Sequence, residues 1–291
     1  MRHARPLPPV RQSAIHAVAN GRQVSRGRAR AAQGRLGMLL AIAVLIGGSA
    51  AIAPAARADT ASDDPATNPP YSITANMTLA SQYRYRGLMQ TDNKPAIQGG
   101  FDFTHESGFY IGNWNSSISW LSDSNPDVSA PIEMDFYGGY RGNVVQDVPF
   151  DFGVLKYYYP GDYPSGYTNP DTTEFYGSIG YKTTSFKYSY AVSNLFGFAR
   201  SKGSQYFDLS GNYDLGVWDL TLNTHVGYQY VHNVDHASYY DWKLGLTKDL
   251  GQGLGISVAY IDTNADRDIY TNSQGRFMGR GTVLASITKT F

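Results

Sequence analysis

The sequence predicts an all-β protein: a transmembrane antiparallel up-and-down β-barrel of 12 strands, preceded by a cleavable signal peptide. Three observations predict this fold. Apolar and polar residues alternate in many segments, the connections alternate between short and long, and a leader-like segment comes first. No stretch after residue 70 approaches 18 consecutive apolar residues, which argues against helical membrane spans.

Residues 1–58 have the composition of a signal peptide. They hold nine arginines and no acid, an apolar run at residues 38–53, and small residues at Ala56 and Ala58, where a signal peptidase cleaves. We predict a signal peptide over 1–58, with Met38 as an alternative start, and a flexible periplasmic spacer over 59–70. A signal anchor is the competing interpretation, but the run is short. We infer no nucleic-acid binding from these arginines, because cleavage would remove them.

The rest of the chain, residues 59–291, holds fifteen bases and twenty-four acids, and the protein has no cysteine. The absence of thiols excludes a disulfide-stapled scaffold and suits export through an oxidising compartment.

Period-two alternation defines the strands. In residues 71–86 the odd positions from Tyr71 to Leu79 are apolar, and Tyr83 and Tyr85 continue that face, while the even positions are polar or small. Such length suits a tilted membrane strand. The predicted strands are 71–86, 96–104, 109–120, 132–141, 148–159, 173–181, 186–193, 205–213, 218–231, 239–248, 254–261 and 282–291. An even number is typical of single-chain bacterial barrels.

The connections support this assignment. Those at 105–108, 142–147, 182–185, 214–217 and 249–253 are short, and the ones between them are longer and polar. A barrel requires this order, with short periplasmic turns and long outer loops. A soluble β-sandwich, the main alternative, has no reason to sort its loops in this way.

Aromatic residues at the strand ends predict two girdles at the membrane interfaces. The outer girdle would contain Tyr83, Tyr85, Trp120, Tyr157, Tyr228, Tyr230, Tyr240, Trp242 and Tyr260. The periplasmic girdle would contain Tyr140, Tyr181, Phe186, Tyr213, Trp218 and Phe291.

The polar register should face the interior, where charges need water or an opposite charge. The predicted pore-lining residues are Arg84, Arg86, Asp102, Glu133, Asp135, Asp151, Glu174, Lys187, Asp208, Asp219, His225, Asp241 and Lys243. Acids outnumber bases in this set, so we expect a pore that favours cations. Alternatively, the charges pair across the interior and close it.

Several motifs resemble a known family. They are NMTLASQYRYRGLMQTDNKPAIQGGFDF at 76–103, HESGFYIGNW, DFYGGYRG, YYYPGDY, HVGYQYV, YYDWKLGLTK and the terminal ITKTF. Across residues 71–291 the chain resembles the proteobacterial TorF-type putative porins, the Gcw_chp family. The resemblance implies an outer-membrane barrel that conducts small solutes, and it implies no catalytic residues.

Three further patterns contain residues typical of metal or catalytic sites. Residues 262–268 read D-x-N-x-D-x-D, as at the start of a calcium loop, but Arg267 and Ser273 replace the Gly and Glu that such a loop requires. His232 and His236 lie in a short loop that does not fix metal geometry. His225 has acids nearby but no serine nucleophile motif. We therefore predict no catalytic, cofactor or metal site and no enzyme.

The predicted function is passive diffusion of small hydrophilic solutes through a porin-like channel in the bacterial outer membrane. A substrate-specific uptake channel, an outer-membrane enzyme that uses His225, and a closed structural or adhesive barrel are the alternatives. The expected partners are outer-membrane lipid and lipopolysaccharide, periplasmic chaperones and the barrel assembly machinery, for which the terminal aromatic Phe291 is the predicted assembly signal.

Overall fold

The computed structural model describes residues 69–291, so the predicted signal peptide (1–58) and nearly all of the spacer (59–70) lie outside the described residues. Twelve strands form the wall of a barrel, and a small hairpin of β2 (Arg84–Tyr85) and β3 (Leu88–Met89) is a separate sheet. The wall strands are β1 (Tyr71–Ala80), β4 (Ala96–His105), β5 (Phe109–Ser117), β6 (Ile132–Val145), β7 (Val148–Tyr158), β8 (Thr172–Tyr181), β9 (Thr184–Ala191), β10 (Gln205–Asp214), β11 (Leu220–Tyr230), β12 (Tyr239–Asp249), β13 (Leu254–Thr263) and β14 (Thr282–Thr290).

The barrel is closed and antiparallel, as predicted. Each wall strand pairs with its neighbours along the chain, and β1 closes the sheet by pairing with both β4 and β14. Beyond the last strand, the Phe291 N–H donates to the Ala75 carbonyl at 2.9 Å. Closure satisfies the edge groups that an open sheet would leave unpaired.

Side chains alternate across the wall. On β1, Ile73 is 64% exposed and Leu79 is 48% exposed, whereas Thr78 between them is 5% exposed. The outer face of the barrel is a band of apolar side chains and the inner face is mainly polar. A bilayer around the wall and water within it explain this inversion of the usual soluble pattern.

The two ends of the barrel differ. Short turns join the strands at one end, here called the turn end, and six longer loops join them at the other, here called the loop end. The loops are L1 (81–95), L2 (118–131), L3 (159–171), L4 (192–204), L5 (231–238) and L6 (264–281). L2 contains the single-turn helix α1 (Trp120–Ser124). The predicted alternation of short and long connections is confirmed.

The first predicted strand is wrong at its end. The alternation predicts a strand that runs to Arg86, but β1 ends at Ala80 and the chain turns into the interior as L1. L1 forms the hairpin β2 (Arg84–Tyr85) and β3 (Leu88–Met89). Arg86 and Gly87 at its tip have φ values of 45° and 78°, which close a two-residue type I′ turn. Alternation in the sequence continues through L1, so periodicity does not reveal this break.

The outer aromatic girdle is therefore only partly confirmed. Tyr230, Tyr240, Trp242 and Tyr260 are exposed on the outer face. In contrast, Tyr83 and Tyr85 of L1 are buried, Tyr157 faces inward, and Trp120 of α1 packs against Tyr159. At the turn end, Tyr181, Phe186, Tyr213, Trp218 and Phe291 are exposed as expected.

The outward register of β14 places Lys289 and Phe291 together at the turn end. The Lys289 amine donates to the Gln252 carbonyl and lies 5.5 Å from the centre of the Phe291 ring. A lysine whose stem follows an apolar wall while its amine reaches a polar end group is a snorkelling side chain.

The loops pack on one another and on the interior. One apolar cluster joins Tyr83 and Tyr85 of L1 to Leu121 and Val128 of L2 and to Tyr157 of the wall. Another joins Leu195 of L4, Ala237 of L5 and Tyr270 of L6. Within residues 69–291, no helix is long and apolar enough to cross a membrane.

Candidate functional site

The interior of the barrel collects most of the predicted site residues. On the inner register, alternating with outward apolar neighbours, lie Asp102 of β4, Glu133 and Asp135 of β6, Asp151 of β7, Glu174 of β8, Lys187 of β9, Asp208 of β10, His225 of β11, and Asp241 and Lys243 of β12. Period two alone brings these residues to one face, because a strand places alternate side chains on opposite sides.

Asp219 is misplaced in the prediction. It lies in the exposed turn before β11, with φ of 52°, and its side chain is 76% exposed. It pairs with Lys248 at 3.2 Å, outside the barrel interior. The predicted strand at 218–231 began two residues too early, because Trp218 and Asp219 continue the alternation without being paired in the sheet.

Arg84 and Arg86 lie in the interior, but on the L1 hairpin and not on a wall strand. Arg84 donates to the Met278 carbonyl of L6 at 2.8 Å and to the Asn93 amide oxygen at 2.7 Å. It therefore holds L1 to L6. Arg86 points from the hairpin tip into the wall.

The Arg86 guanidinium is enclosed by wall and loop side chains. One terminal N–H donates to Glu174 Oε2 at 2.7 Å and the other to Gln229 Oε1 at 2.6 Å. Its central carbon lies 4.1 Å from the centre of the Tyr206 ring and 5.8 Å from that of Phe196. The side chains of the Arg86–Glu174 pair are only 4% and 3% exposed. Because the pair is buried on this scale, its stability depends on the hydrogen bonds that compensate for the lost hydration.

Tyrosines surround this pair. The Tyr85 hydroxyl is hydrogen-bonded to the Tyr157 hydroxyl, which lies 3.4 Å from Glu174 Oε2. Glu133 accepts from Tyr83 at 2.8 Å and from Tyr159 at 2.7 Å. Tyr83, Tyr157, Glu133, Glu174 and Gln229 are all fully buried. At the level of the hairpin these side chains therefore fill the interior.

A second charged cluster centres on His225. Its Nε2 is 2.9 Å from Asp241 Oδ1, and its Nδ1 is 3.3 Å from Asp208 Oδ1 and 3.1 Å from Ser210 Oγ. Ser210 donates its own proton to Asp208 at 2.6 Å. Because carboxylates only accept, both ring nitrogens must donate, and the ring is an imidazolium.

The inner face toward the turn end is more open. Asp102 accepts from Tyr137 at 2.8 Å, and Asp151 accepts from Tyr110 at 2.5 Å. Asp102, Thr104 and Lys187 are partly exposed on the inner face. The turn end thus opens into a polar vestibule.

Arg141 is an inward-facing base that is absent from the predicted pore-lining set. It lies on the same register of β6 as Glu133 and Asp135, donates to Thr104 and stacks on the Tyr110 ring. Its odd-numbered position, like those of Glu133 and Asp135, indicates an inward side chain. The predicted strand ends at Arg141, however, and at a strand end the sequence pattern does not distinguish the wall from the rim. The excess of acidic over basic side chains in the interior is therefore smaller than predicted. The interior gains the bases Arg141 and charged His225, and it does not contain the acid Asp219.

Two of the weaker motifs lie at the loop end. Asp262, at the end of β13, accepts from the Tyr260 hydroxyl of the same strand, and Asp266 in L6 accepts from the Asp268 backbone N–H. His232 and His236 remain in L5. In the described part of the chain, no group of three or more His, Asp and Glu side chains is placed to hold a metal ion.

Comparisons with known proteins identify a family but no characterised relative. A family model described as "Bacterial protein of unknown function (Gcw_chp)" matches residues 64–291. No curated protein matches the chain.

Solved structures with a similar shape share little sequence with the chain. The NanC porin has 11% identity and a TM-score of 0.45, with 76% of this chain and 99% of that chain covered. OprD of Pseudomonas aeruginosa has 11% identity and a TM-score of 0.35, covering 77% and 67%. Outer membrane phospholipase A from Escherichia coli has 11% identity and a TM-score of 0.39, covering 75% and 91%.

Proposed function

This chain belongs to the Gcw_chp family of bacterial proteins, and we propose that it is an outer-membrane channel for small hydrophilic solutes. The observation that carries the proposal is a closed wall with apolar side chains outside and a lining of charged and hydroxyl side chains inside. Such a wall is stable in lipid and offers solutes a polar path. Membership of the TorF-type subfamily is part of the same proposal.

The outer membrane is the location that this wall fits. The exposed band on β1, β4, β12 and β13 is apolar, and the aromatic residues at the turn end suit a headgroup interface. The partners we propose are therefore outer-membrane lipid, lipopolysaccharide around the loops, and the chaperones and assembly machinery that deliver barrels.

The channel is closed at the loop end in this conformation. The L1 hairpin fills the interior between Tyr157, Glu174 and Gln229, while the vestibule at the turn end stays accessible. Conduction consequently requires L1 to move away from the wall. We propose a weak preference for cations, because acids still outnumber bases along the lining.

Planar bilayer recordings test the channel. We compare the full chain with a variant in which residues 82–93 are replaced by a Gly-Ser linker. We expect discrete conductance steps from both, longer-lived in the linker variant, and a reversal potential in a KCl gradient that is slightly on the cation side.

A replacement in another loop controls for the general effect of changing a loop. Replacing residues 164–166 at the tip of L3 with Gly and Ser keeps Tyr167, which packs against the cluster around L1, and should leave the conductance of the full chain unchanged. Silence from both the full chain and the L1 variant, with folding shown by heat-modifiable migration, would overturn the channel proposal.

The enzyme alternative has one observation in its favour, the contact of Ser210 with His225. The geometry opposes a nucleophile there, because Ser210 donates to Asp208 and both nitrogens of His225 already donate. A general base needs a free lone pair toward the hydroxyl. We therefore propose a channel and no enzyme activity.

A further inference from the structure

The tip of the L1 hairpin presents one arginine side chain to the wall. Arg86 has a φ of 45° at the first central position of the type I′ turn, where Asn, Asp and Gly are preferred. An arginine in this left-handed conformation is strained, because its Cβ lies too close to the backbone carbonyl. The fold accepts this strain at a loop position whose side chain reaches both Glu174 and Gln229.

The groups that receive Arg86 come mostly from the wall. Glu174 of β8 and Gln229 of β11 each accept one N–H, and the ring of Tyr206 of β10 lies beneath the guanidinium. A planar guanidinium can donate to these two oxygens through separate nitrogens and at the same time lie over the Tyr206 ring. A compact ammonium group would match these acceptors and this ring less well than a guanidinium does.

The fit of Arg86 is incomplete. Its Nε is buried without a hydrogen-bond partner, whereas both terminal nitrogens are satisfied. A buried donor without a partner destabilises the docked state, because it has lost its hydrogen bonds to water. Together with the strained φ, this makes the docked hairpin a state that a better-matched ligand can displace.

We propose that Glu174, Gln229 and Tyr206 form a binding site for a solute that carries a guanidinium group, and that Arg86 occupies this site as an internal ligand. The inference rests on the proposed channel function. It specifies the chemical class of the solute and the event that opens the channel. A guanidinium solute that takes the place of Arg86 releases the tip of L1. The hairpin can then leave the part of the interior that it fills.

Calorimetric titration of the purified full chain with methylguanidinium tests the site directly. The Arg86→Ala variant empties the site, and the Arg200→Ala variant is the matched control. Arg200 is an exposed loop arginine with φ of 60°, so both substitutions place alanine in a left-handed loop position. Because Arg86 competes for the site, R86A should bind methylguanidinium about tenfold or more tightly than the wild type and R200A.

Two further comparisons identify the site. R86A should bind methylammonium more weakly than methylguanidinium, and the double variant R86A/E174Q should lose the gain while keeping the shape of the side chain. Equal binding by R86A and wild type, or an undiminished gain in R86A/E174Q, would overturn the inference. If R86A does not fold, the neutral Arg86→Gln variant is titrated in its place, with the same expectation.

Conductance separates this inference from the proposed function. Calorimetry does not depend on current, so binding without conductance in any variant would sink the channel and keep the site. Conductance without a binding gain in R86A would keep the channel and sink the site.

Discussion

Gly87 is the residue on which the docking of L1 most depends. Its φ is 78°, and a Cβ added there would lie 2.8 Å from the Cβ of Asp241 and 3.1 Å from the Cβ of Thr263. The neighbouring atoms belong to wall strands β12 and β13, which are held by ladders on both sides. The hairpin tip therefore approaches the wall as closely as backbone allows.

We predict that Gly87→Ala displaces the tip of L1. The added methyl group clashes with the wall, and overpacking of this kind costs about 1–3 kcal/mol beyond the strain at φ. The free energy of unfolding, measured by urea titration of the refolded barrel, should fall. In planar bilayer recordings the channel openings should last longer.

Gly166→Ala is the matched control for this prediction. Gly166 has nearly the same φ, 81°, but no atom lies within 4 Å of its added Cβ. It should lose only the conformational contribution, about 1–2 kcal/mol, without any change in conductance. Identical losses in the two variants would mean that L1 does not press on β12 and β13.

At the scale of elements, L1 and L6 form one cap. The Met89 N–H donates to the Met278 carbonyl at 2.9 Å, and Arg276 of L6 pairs with Asp92 of L1 at 2.5 Å. L6 also reaches the helix of L2, where the Ser273 hydroxyl donates to the Asp123 carbonyl at 2.6 Å. Movement of L1 thus requires L6 to move or to release it.

We predict that a disulfide between Met89→Cys and Met278→Cys locks the cap. A direct backbone hydrogen bond joins these two positions, so they are neighbours across the contact between L1 and L6. The oxidised variant should show few openings in a planar bilayer, and reduction should restore them.

The chain itself simplifies this experiment, because it contains no cysteine and the introduced pair has no competitor. Each single-cysteine variant serves as a control and should not respond to oxidant. If the oxidised and reduced double variants open equally often, L1 and L6 do not gate the interior.

At the scale of the whole molecule, closure of the barrel depends on the meeting of its first and last strands. The register of β1 with β14 runs from Asn76 opposite Thr290 to Ala80 opposite Ser286. Phe291 extends the pairing beyond this register by hydrogen bonds with Ala75, and its ring is 64% exposed on the outer face. The residue therefore contributes to the seam and to the girdle at the turn end.

We predict that Phe291→Ala lowers the yield of assembled barrel several-fold. The loss of the terminal ring removes the proposed assembly signal and an interfacial aromatic anchor. The measurement is the fraction of heat-modifiable protein in the membrane fraction of expressing cells.

Ile287→Ala is the control, because Ile287 is also outward on β14 and 41% exposed. Its removal should reduce apolar contact without affecting the yield to the same degree. Equal yields from wild type and Phe291→Ala would contradict a role of the terminal residue in assembly.

The sequence by itself determined the wall. Eleven of the twelve predicted strands begin and end within a few residues of those in the structure, and the inner register of ten predicted site residues follows from parity. The physical reason is that a bilayer outside and polar groups inside impose a two-residue period that each strand carries locally. Local information was therefore enough for Asp102, Glu174 or His225 to be assigned to one face.

Only the tertiary structure decided what fills the interior of the barrel. The Tyr83 to Arg86 segment keeps the alternation of a strand, yet it leaves the sheet, turns at Arg86 and Gly87, and docks against residues more than 80 positions away. A charge on the inner face does not encode which opposite charge it will meet, because that depends on strands far apart in the chain. The pairing of Arg86 with Glu174, and with it the closed interior, is a property of the assembled barrel.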